Sequence, residues 1–158
     1  MTNKYNFFLT LILTVLVTSC GYKNINLESK KPIFIKNIKI TGERRIGNLQ
    51  KNEIILISSP KSEAIISLNL NTKKAKKIKE KNSAGKIVKH SLSIENKIEV
   101  IDVNGILIVN KTIINEEDYI VATTHTQTRI NEKATLKSLI SKNSDEIKDF
   151  ISFYLKSQ

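Results

Sequence analysis

Apolar and polar residues alternate along the middle of the chain, which predicts long, half-buried β-strands. One alternating run begins at Ala64, the clearest spans residues 88–100, and another strand is predicted over 106–114. Gly85 is the predicted turn before the clearest run. Asp102–Gly105, which contains an Asn-Gly pair, is the predicted hairpin turn after it. Three consecutive strands are therefore expected in this region.

A further strand and two helices are predicted around these three strands. Residues 33–40 have a strand pattern that is interrupted near Asn37. Residues 45–57 place Ile46, Leu49, Ile54 and Ile57 near one face of a short helix, which Ser58-Ser59-Pro60 ends. From Asn131 to Lys156 apolar residues recur near every 3.6 positions, which predicts a second helix.

Two local features complicate this interpretation. Asn143-Ser144 interrupts the pattern of the last helix, because Ser144 could cap a second helix there. One continuous helix is favoured. Asn115–Asp118 is expected to end the strand before it, with pairing resumed over Tyr119–Ala122.

The order of elements is strand, helix, three strands, helix. Two amphipathic helices can cover the apolar face of one sheet in a two-layer arrangement. The sequence therefore predicts an α+β fold, with a small, mostly antiparallel four-stranded sheet and two helices packed on one face.

The first twenty residues, MTNKYNFFLTLILTVLVTSC, have the organisation of an export signal. Lys4 precedes an apolar run from Phe7 to Val17, and small residues follow. The run is shorter than the roughly 20 apolar residues of a membrane-spanning helix. A secretory signal peptide is therefore predicted over residues 1–19.

Val17-Thr18-Ser19-Cys20 resembles the lipobox of bacterial lipoproteins, and the only cysteine of the chain stands at its expected place. The alternative is an ordinary signal peptide followed by an incidental cysteine. The resemblance implies that the Cys20 thiol carries a diacylglyceryl group and that its new amine is acylated, as with palmitate. Such a protein is anchored to a bilayer without spanning it. Gly21, in place of aspartate, points to the periplasmic side of the outer membrane.

The rest of the chain divides into a tether and one domain. Residues 20–31 are polar without a clear period and form a predicted lipidated tether. Residues 32–158 form the predicted α+β domain. One cysteine excludes a disulfide within the chain, and one cysteine with two histidines is too few for a four-ligand zinc site. No cofactor is expected.

No motif for catalysis is present. His90 lies at an even position of an alternating strand, which favours a partly buried or edge residue. His125 stands among threonines in an expected loop or strand end. Phosphate-cradling glycine loops and the common hydrolase motifs are absent from the sequence. We expect a protein that is not an enzyme.

The net charge of +11 is concentrated between residues 73 and 89, where eight lysines are opposed only by Glu80. Nucleic acid is a poor candidate partner, because the chain has an export signal and no stacking aromatic residues accompany the lysines. An anionic glycolipid is a better one, since lysine ammonium groups at a hairpin can meet its phosphates. The alternative is a solvated hairpin in a lysine-rich sequence. The candidate binding residues are Lys73, Lys74, Lys76, Lys77 and Lys79.

Several features together resemble the LptE family of outer-membrane lipoproteins that act in lipopolysaccharide assembly. The resemblance extends over almost the whole mature chain. The sequence departs from the family pattern in having many lysines and few aromatic residues. The matching features are Cys20-Gly21-Tyr22, the isoleucine-rich first strand, Arg44–Leu49, the D-x-N-G turn, Tyr119, Asn131–Ala134, Ile147 and Tyr154-Leu155.

This resemblance implies a small sheet with two helices that plugs the lumen of the β-barrel LptD, assists its assembly and binds lipopolysaccharide. Two alternatives stay open. One is an accessory lipoprotein of another envelope system, such as general barrel insertion or peptidoglycan binding. The other is an exported hydrolase with an unrecognised site.

Overall fold

A computed structural model describes residues 32–156 of the chain. The predicted signal peptide (1–19), Cys20 and the tether (20–31) lie outside the described residues. The elements, in order, are β1 (Ile33–Gly42), α1 (Arg44–Ile54), a 3-10 turn (Ile55–Ile57), β2 (Ala64–Lys81), β3 (Ile87–Ile101), β4 (Leu107–Ile120) and α2 (His125–Lys156).

The four strands form one sheet in the order β1-β2-β3-β4. The two hairpins make β2–β3 and β3–β4 antiparallel, with turns at the predicted glycines, Gly85 and Gly105, which both have positive φ. β1 pairs with β2 in parallel, because α1 carries the chain back before β2 begins. The α+β prediction is confirmed, and the parallel pair makes the sheet mixed. A register shift between Ile35 and Asn37 confirms the predicted interruption of β1.

Both helices cover the same face of the sheet, and the core between them has two apolar parts. The larger part surrounds Ile98, Val100 and Ile147 near the β3–β4 turn. The smaller part surrounds Leu92, Ile94 and Leu139. The opposite face of the sheet carries no helix among the described residues, and polar side chains occupy its centre; we call it the polar face.

The last helix is continuous from His125 to Lys156, as favoured from the sequence. It begins six residues earlier than predicted, and the Thr124 hydroxyl caps it by accepting a hydrogen bond from the Gln127 amide at 3.2 Å. Asn143 and Ser144 do not break it. Both are buried, and their side chains donate to the backbone carbonyls of Leu139 and Ile140, four residues earlier.

The structure corrects two other local expectations. β4 runs unbroken through Asn115–Asp118, because the Asn115 amide donates to Glu146 of α2 and the neighbouring acids face solvent. In α1, Leu49 is 48% exposed, and Gln50 is fully buried in its place. Periodicity alone assigned the inward position to the more apolar residue, whereas a hydrogen-bonded polar network occupies it.

Candidate functional site

The β2–β3 hairpin extends beyond the other elements and carries the lysines. β1 ends opposite Thr72, so β2 has no neighbour on that side from Lys73 onward among the described residues. β4 ends opposite Lys89, and residues 73–86 are all exposed. At about 3.3 Å per residue, β2 projects roughly 30 Å past the end of β1. We call residues 73–89 the basic hairpin.

The tip of the basic hairpin is a closed turn. The Asn82 side chain accepts hydrogen bonds from the backbone amides of Ala84 and Lys86, at 3.1 and 2.9 Å. Gly85 follows with φ +76 and open space around its Cα. The sequence placed the lysines at a hairpin, and the structure extends regular β-strand through Lys81, so they stand in a defined strand register.

Strand alternation divides the candidate lysines between the two faces of the sheet. Lys74 pairs with Ile94 and Lys76 with Leu92, both core residues, so these two lysines lie on the helix-bearing face. Lys73 pairs with Glu95 and Lys77 with Ser91, on the polar face. The five lysines therefore do not form one flat surface. They surround the hairpin.

Three of the five lysines make ion pairs. Lys73 Nζ lies 3.8 Å from Glu95, and Lys79 Nζ lies 4.0 Å from Asp118. Lys76 Nζ lies 3.1 Å from Glu132 of α2. Within residues 32–156, Lys74 and Lys77 make no ion pair. Their ammonium groups are therefore the ones open to an external anion.

Lys76, Glu132 and Tyr119 form a cluster at the base of the hairpin. Lys76 Nζ lies 5.2 Å from the centre of the Tyr119 ring. Partial burial lowers the pKa of Lys76, but the neighbouring Tyr119 hydroxyl and the hydrogen bond to Glu132 outweigh it, and the net pKa shift is upward. Burial alone would raise the pKa of Glu132. The hydrogen bond and positive charge of Lys76 outweigh this effect, and the net shift of the Glu132 pKa is downward. Burial raises the pKa of Tyr119.

Glu132 is the residue of this cluster that sequence reasoning missed. It lies 56 residues after Lys76 and on another element, so no local pattern links the two. Tyr119 was noted in the sequence as part of a family pattern, and its position beside the hairpin base emerges only from the fold. An adjoining depression of about 360 Å³ is lined by Lys89, Asp118, Tyr119, Ile120, Asn131, Ala134 and Thr135.

The two histidines lie apart from each other. His90 is half-buried on β3, as expected, with Nδ1 3.2 Å from the Lys77 carbonyl oxygen and its ring 5.5 Å from that of Tyr119. His125 begins α2, which corrects the expected loop or strand end. In the part of the chain that the structure describes, no three His, Cys, Asp or Glu side chains converge as a metal site requires.

The polar face has a shallow depression of about 280 Å³ near its centre. The Asn69 amide donates to Glu99 at 2.8 Å across β2 and β3 there. The Asn71 side-chain oxygen is buried without a hydrogen-bond partner among the described residues. This face therefore offers ammonium, amide and carboxylate groups to a polar partner. The lining residues are Lys39, Thr41, Asn69, Asn71, Lys97 and Glu99.

Among the described residues, no helix combines the length and apolar character needed to cross a membrane. No protein-family model matches the sequence. No curated protein matches it either.

Solved structures do share the fold. Rare lipoprotein B from Shewanella oneidensis has a TM-score of 0.58 at 12% identity, with 76% of this chain and 97% of that chain covered. Uncharacterized lipoprotein B from Nitrosomonas europaea has a TM-score of 0.61 at 16% sequence identity, with 82% of this chain and 90% of that chain covered. The minor lipoprotein from Acinetobacter baumannii has a TM-score of 0.57 at 15% sequence identity, with 78% of this chain and 95% of that chain covered. At these identities, the likeness establishes a common fold.

Proposed function

We propose that this protein is an outer-membrane lipoprotein, anchored through Cys20, that plugs and helps to assemble a lipopolysaccharide-exporting β-barrel of the LptD kind. The observation that carries this proposal is the combination of a lipobox with a sheet-and-helix fold. Structures of that fold in three bacteria are named lipoproteins and are matched over at least 90% of their lengths. The role requires no turnover of substrate and no cofactor.

The plug would act through shape and polar contact. The polar face presents a broad array of groups that can hydrogen-bond to the polar interior of a large barrel. Lys39 and Lys97 stand at the depression in that face, and Ser93 and Glu95 lie further along β3. Because the two helices already cover the apolar face of the sheet, the polar groups of the opposite face would contact the barrel wall.

Affinity purification of the lipidated protein from gently solubilised outer membrane tests the barrel partner. We expect a large β-barrel protein to be recovered with the wild type, and recovery to fall when Lys39 and Lys97 are replaced by glutamate. The matched control reverses Lys137 and Lys142, two exposed lysines of α2. Absence of any barrel from the wild-type sample contradicts the proposal.

We further propose that the basic hairpin binds the anionic part of lipopolysaccharide during its transport. Lys74 and Lys77, on opposite faces of β2, are the most available ammonium groups, while Lys73, Lys76 and Lys79 are partly neutralised by neighbouring acids. A long strand that carries cations on both faces can meet phosphates from two sides.

Lys74→Glu together with Lys77→Glu should weaken lipopolysaccharide binding about tenfold or more, because two attractive contacts become repulsive. Lys137→Glu with Lys142→Glu makes the same change in net charge and should leave the affinity nearly unchanged. Equal losses in both variants would show that total charge, and not the hairpin, governs binding. Unchanged affinity in the first variant would remove the site.

A further inference from the structure

The end of the sheet opposite the basic hairpin exposes several large apolar side chains. The β3–β4 turn presents Val103, Ile106 and Leu107 to solvent, with 61%, 63% and 50% of their surfaces exposed. Soluble proteins rarely leave such side chains clustered in the open without a partner.

Exposed apolar residues from both helical segments join this turn. Leu56, in the 3-10 turn after α1, is 80% exposed, and Phe153, in the last turns of α2, is 74% exposed. Both lie at this end, because Ile54 and Ile151 beside them pack in the same apolar cluster as Ile33 and Val100. We call Leu56, Val103, Ile106, Leu107 and Phe153 the apolar end.

The polar face also becomes apolar here. Phe34 on β1 pairs with Ile65 on β2, one register step from where β1 and β2 begin. Charge is nearly absent from the β3–β4 turn. Its one carboxylate, Asp102, accepts hydrogen bonds from the backbone amides of Ile106 and Asn104 at 2.7 and 2.9 Å, which hold the turn. The described domain is therefore basic at one end and exposes large apolar side chains at the other, where Lys61 and Glu63 are the exposed charges just before β2.

The chain enters the fold at the apolar end. Pro32 immediately precedes β1, and its carbonyl accepts a hydrogen bond from the Ser62 hydroxyl beside the start of β2. Cys20 lies 12 residues before Pro32, and 12 residues span at most about 40 Å. β2 alone has 18 residues, which at about 3.3 Å each amounts to roughly 60 Å. The tip of the basic hairpin is therefore beyond the reach of Cys20, whereas the apolar end lies within it.

We propose that the apolar end inserts into the boundary between headgroups and acyl chains of the same membrane leaflet that holds the lipid anchor. The inference rests on the proposed lipidation of Cys20. The anchor and the apolar end then form two contacts with the same leaflet, which fix the tilt of the domain relative to the bilayer. Two such contacts hold a protein at a surface more firmly than one.

The chain has no tryptophan, so a single introduced tryptophan reports its own surroundings. The probe is the lipidated Ile106→Trp protein in phosphatidylethanolamine–phosphatidylglycerol vesicles with brominated acyl chains. We expect its emission to shift to the blue and to be strongly quenched. Phe153→Trp, a conservative change on α2, should behave likewise. Ala84→Trp in the turn of the basic hairpin is the matched control, and it should keep the emission of a solvated indole.

Flotation of the same vesicles separates the two proposals. If the Ile106→Trp and Phe153→Trp proteins float but their tryptophan emission is not quenched, the membrane contact is overturned and the anchor stands. A blue shift without quenching assigns the apolar end to a protein surface, a second copy included, and also overturns it. Protein that does not float contradicts the anchor, and the inference that rests on it fails as well.

Discussion

Gln50, Asn96 and Thr72 form a closed hydrogen-bonded network between the two apolar parts of the core. All three are fully buried. The side-chain amides of Gln50 and Asn96 each donate a hydrogen bond to the carbonyl oxygen of the other, both at 2.9 Å. Asn96 also donates to the Thr72 hydroxyl at 2.9 Å. The network ties α1 to β2 and β3. Its partners lie 22 and 46 residues from Gln50, so the sequence carries no sign of it.

Asn96→Leu should destabilise the protein by about 3 kcal/mol, because it removes three buried hydrogen bonds and leaves the Gln50 Nε2 without an acceptor, although the Thr72 hydroxyl still donates to Gln50 Oε1. Replacing all three together, with Gln50→Leu, Asn96→Leu and Thr72→Val, should cost much less, since no buried polar group is then orphaned. Urea unfolding of the single and triple variants measures both. A triple variant less stable than Asn96→Leu would contradict this account of the network.

Gly42 links β1 to α1 at a close backbone contact. Its φ is +78, and a Cβ added there would lie 2.2 Å from the Thr72 carbonyl oxygen. That same oxygen accepts a hydrogen bond from the Glu43 amide at 2.8 Å, which turns the chain into α1.

Gly42→Ala should therefore cost clearly more than the roughly 1–2 kcal/mol of left-handed backbone strain alone. Gly85→Ala is the control, since Gly85 has φ +76 and nothing within 4 Å of its added Cβ. Thermal or urea unfolding of both variants provides the comparison. An equal loss of unfolding free energy in the two variants would mean that backbone strain alone accounts for the effect and that the contact with Thr72 adds nothing.

At the scale of elements, the lysines of β2 also have a structural role. Beyond Thr72 this strand has a free edge in the described part of the chain, and free edges invite pairing with other chains. Lysine side chains on an edge strand oppose such pairing, and residues 73–81 carry six of them. The charge that suits an anionic ligand therefore also keeps the hairpin from aggregating.

The Lys76–Glu132 pair joins β2 to α2 and makes a pH-dependent contribution. The lowered Glu132 pKa stabilises the fold above the ordinary carboxyl value of 4.5, and this contribution is lost as pH falls through the folded pKa. The raised Lys76 pKa acts in the opposite direction. Its contribution is present below 10.5 and is lost as pH rises through the higher folded value. The two side chains are 38% and 30% exposed, so solvent limits the effect to below about 1 kcal/mol.

Glu132→Gln should accordingly lower the free energy of unfolding slightly at pH 7, and the gap from wild type should be smaller at pH 3, since Glu132 is then more extensively protonated. Urea unfolding at the two pH values measures it. Glu63→Gln is the control, because Glu63 is exposed and has no ion pair in the described part of the chain. A gap of constant size at both pH values would contradict the role of the ion pair.

At the scale of the whole molecule, stability and proposed ligand binding reside in different regions. The buried side chains lie between the four-stranded sheet and the two helices, and none is buried between Lys73 and His90. The basic hairpin is therefore an extension of a core that does not depend on it.

Replacing Lys79–Lys89 with Asn-Gly tests this separation. Ile78 and His90 face each other across the hairpin, so a two-residue turn can join them. We expect a loss of no more than about 1 kcal/mol in unfolding free energy, because no buried side chain is removed. Lipopolysaccharide binding to the purified protein should weaken only in part, because Lys74 and Lys77 remain in the shortened hairpin. Complete loss of binding would place the ligand on the deleted tip.

The sequence by itself determined the element types, their order and both hairpin turns. Each of these depends on local patterns: alternation in β2 and β3, a 3.6-residue period in α2, and the left-handed turns at Gly85 and Gly105. It also placed the lysines on one hairpin, since they are close together in the chain.

The tertiary structure decided what depends on distant partners. Pairing of β1 with β2 in parallel, Gln50 in the core in place of Leu49, and Glu132 beside Lys76 all join residues far apart in sequence. It also decided that the lysines surround the hairpin and that exposed apolar side chains from separate elements lie at the opposite end of the sheet. Local pattern carries no information on such contacts, because they form only when the sheet and helices pack together.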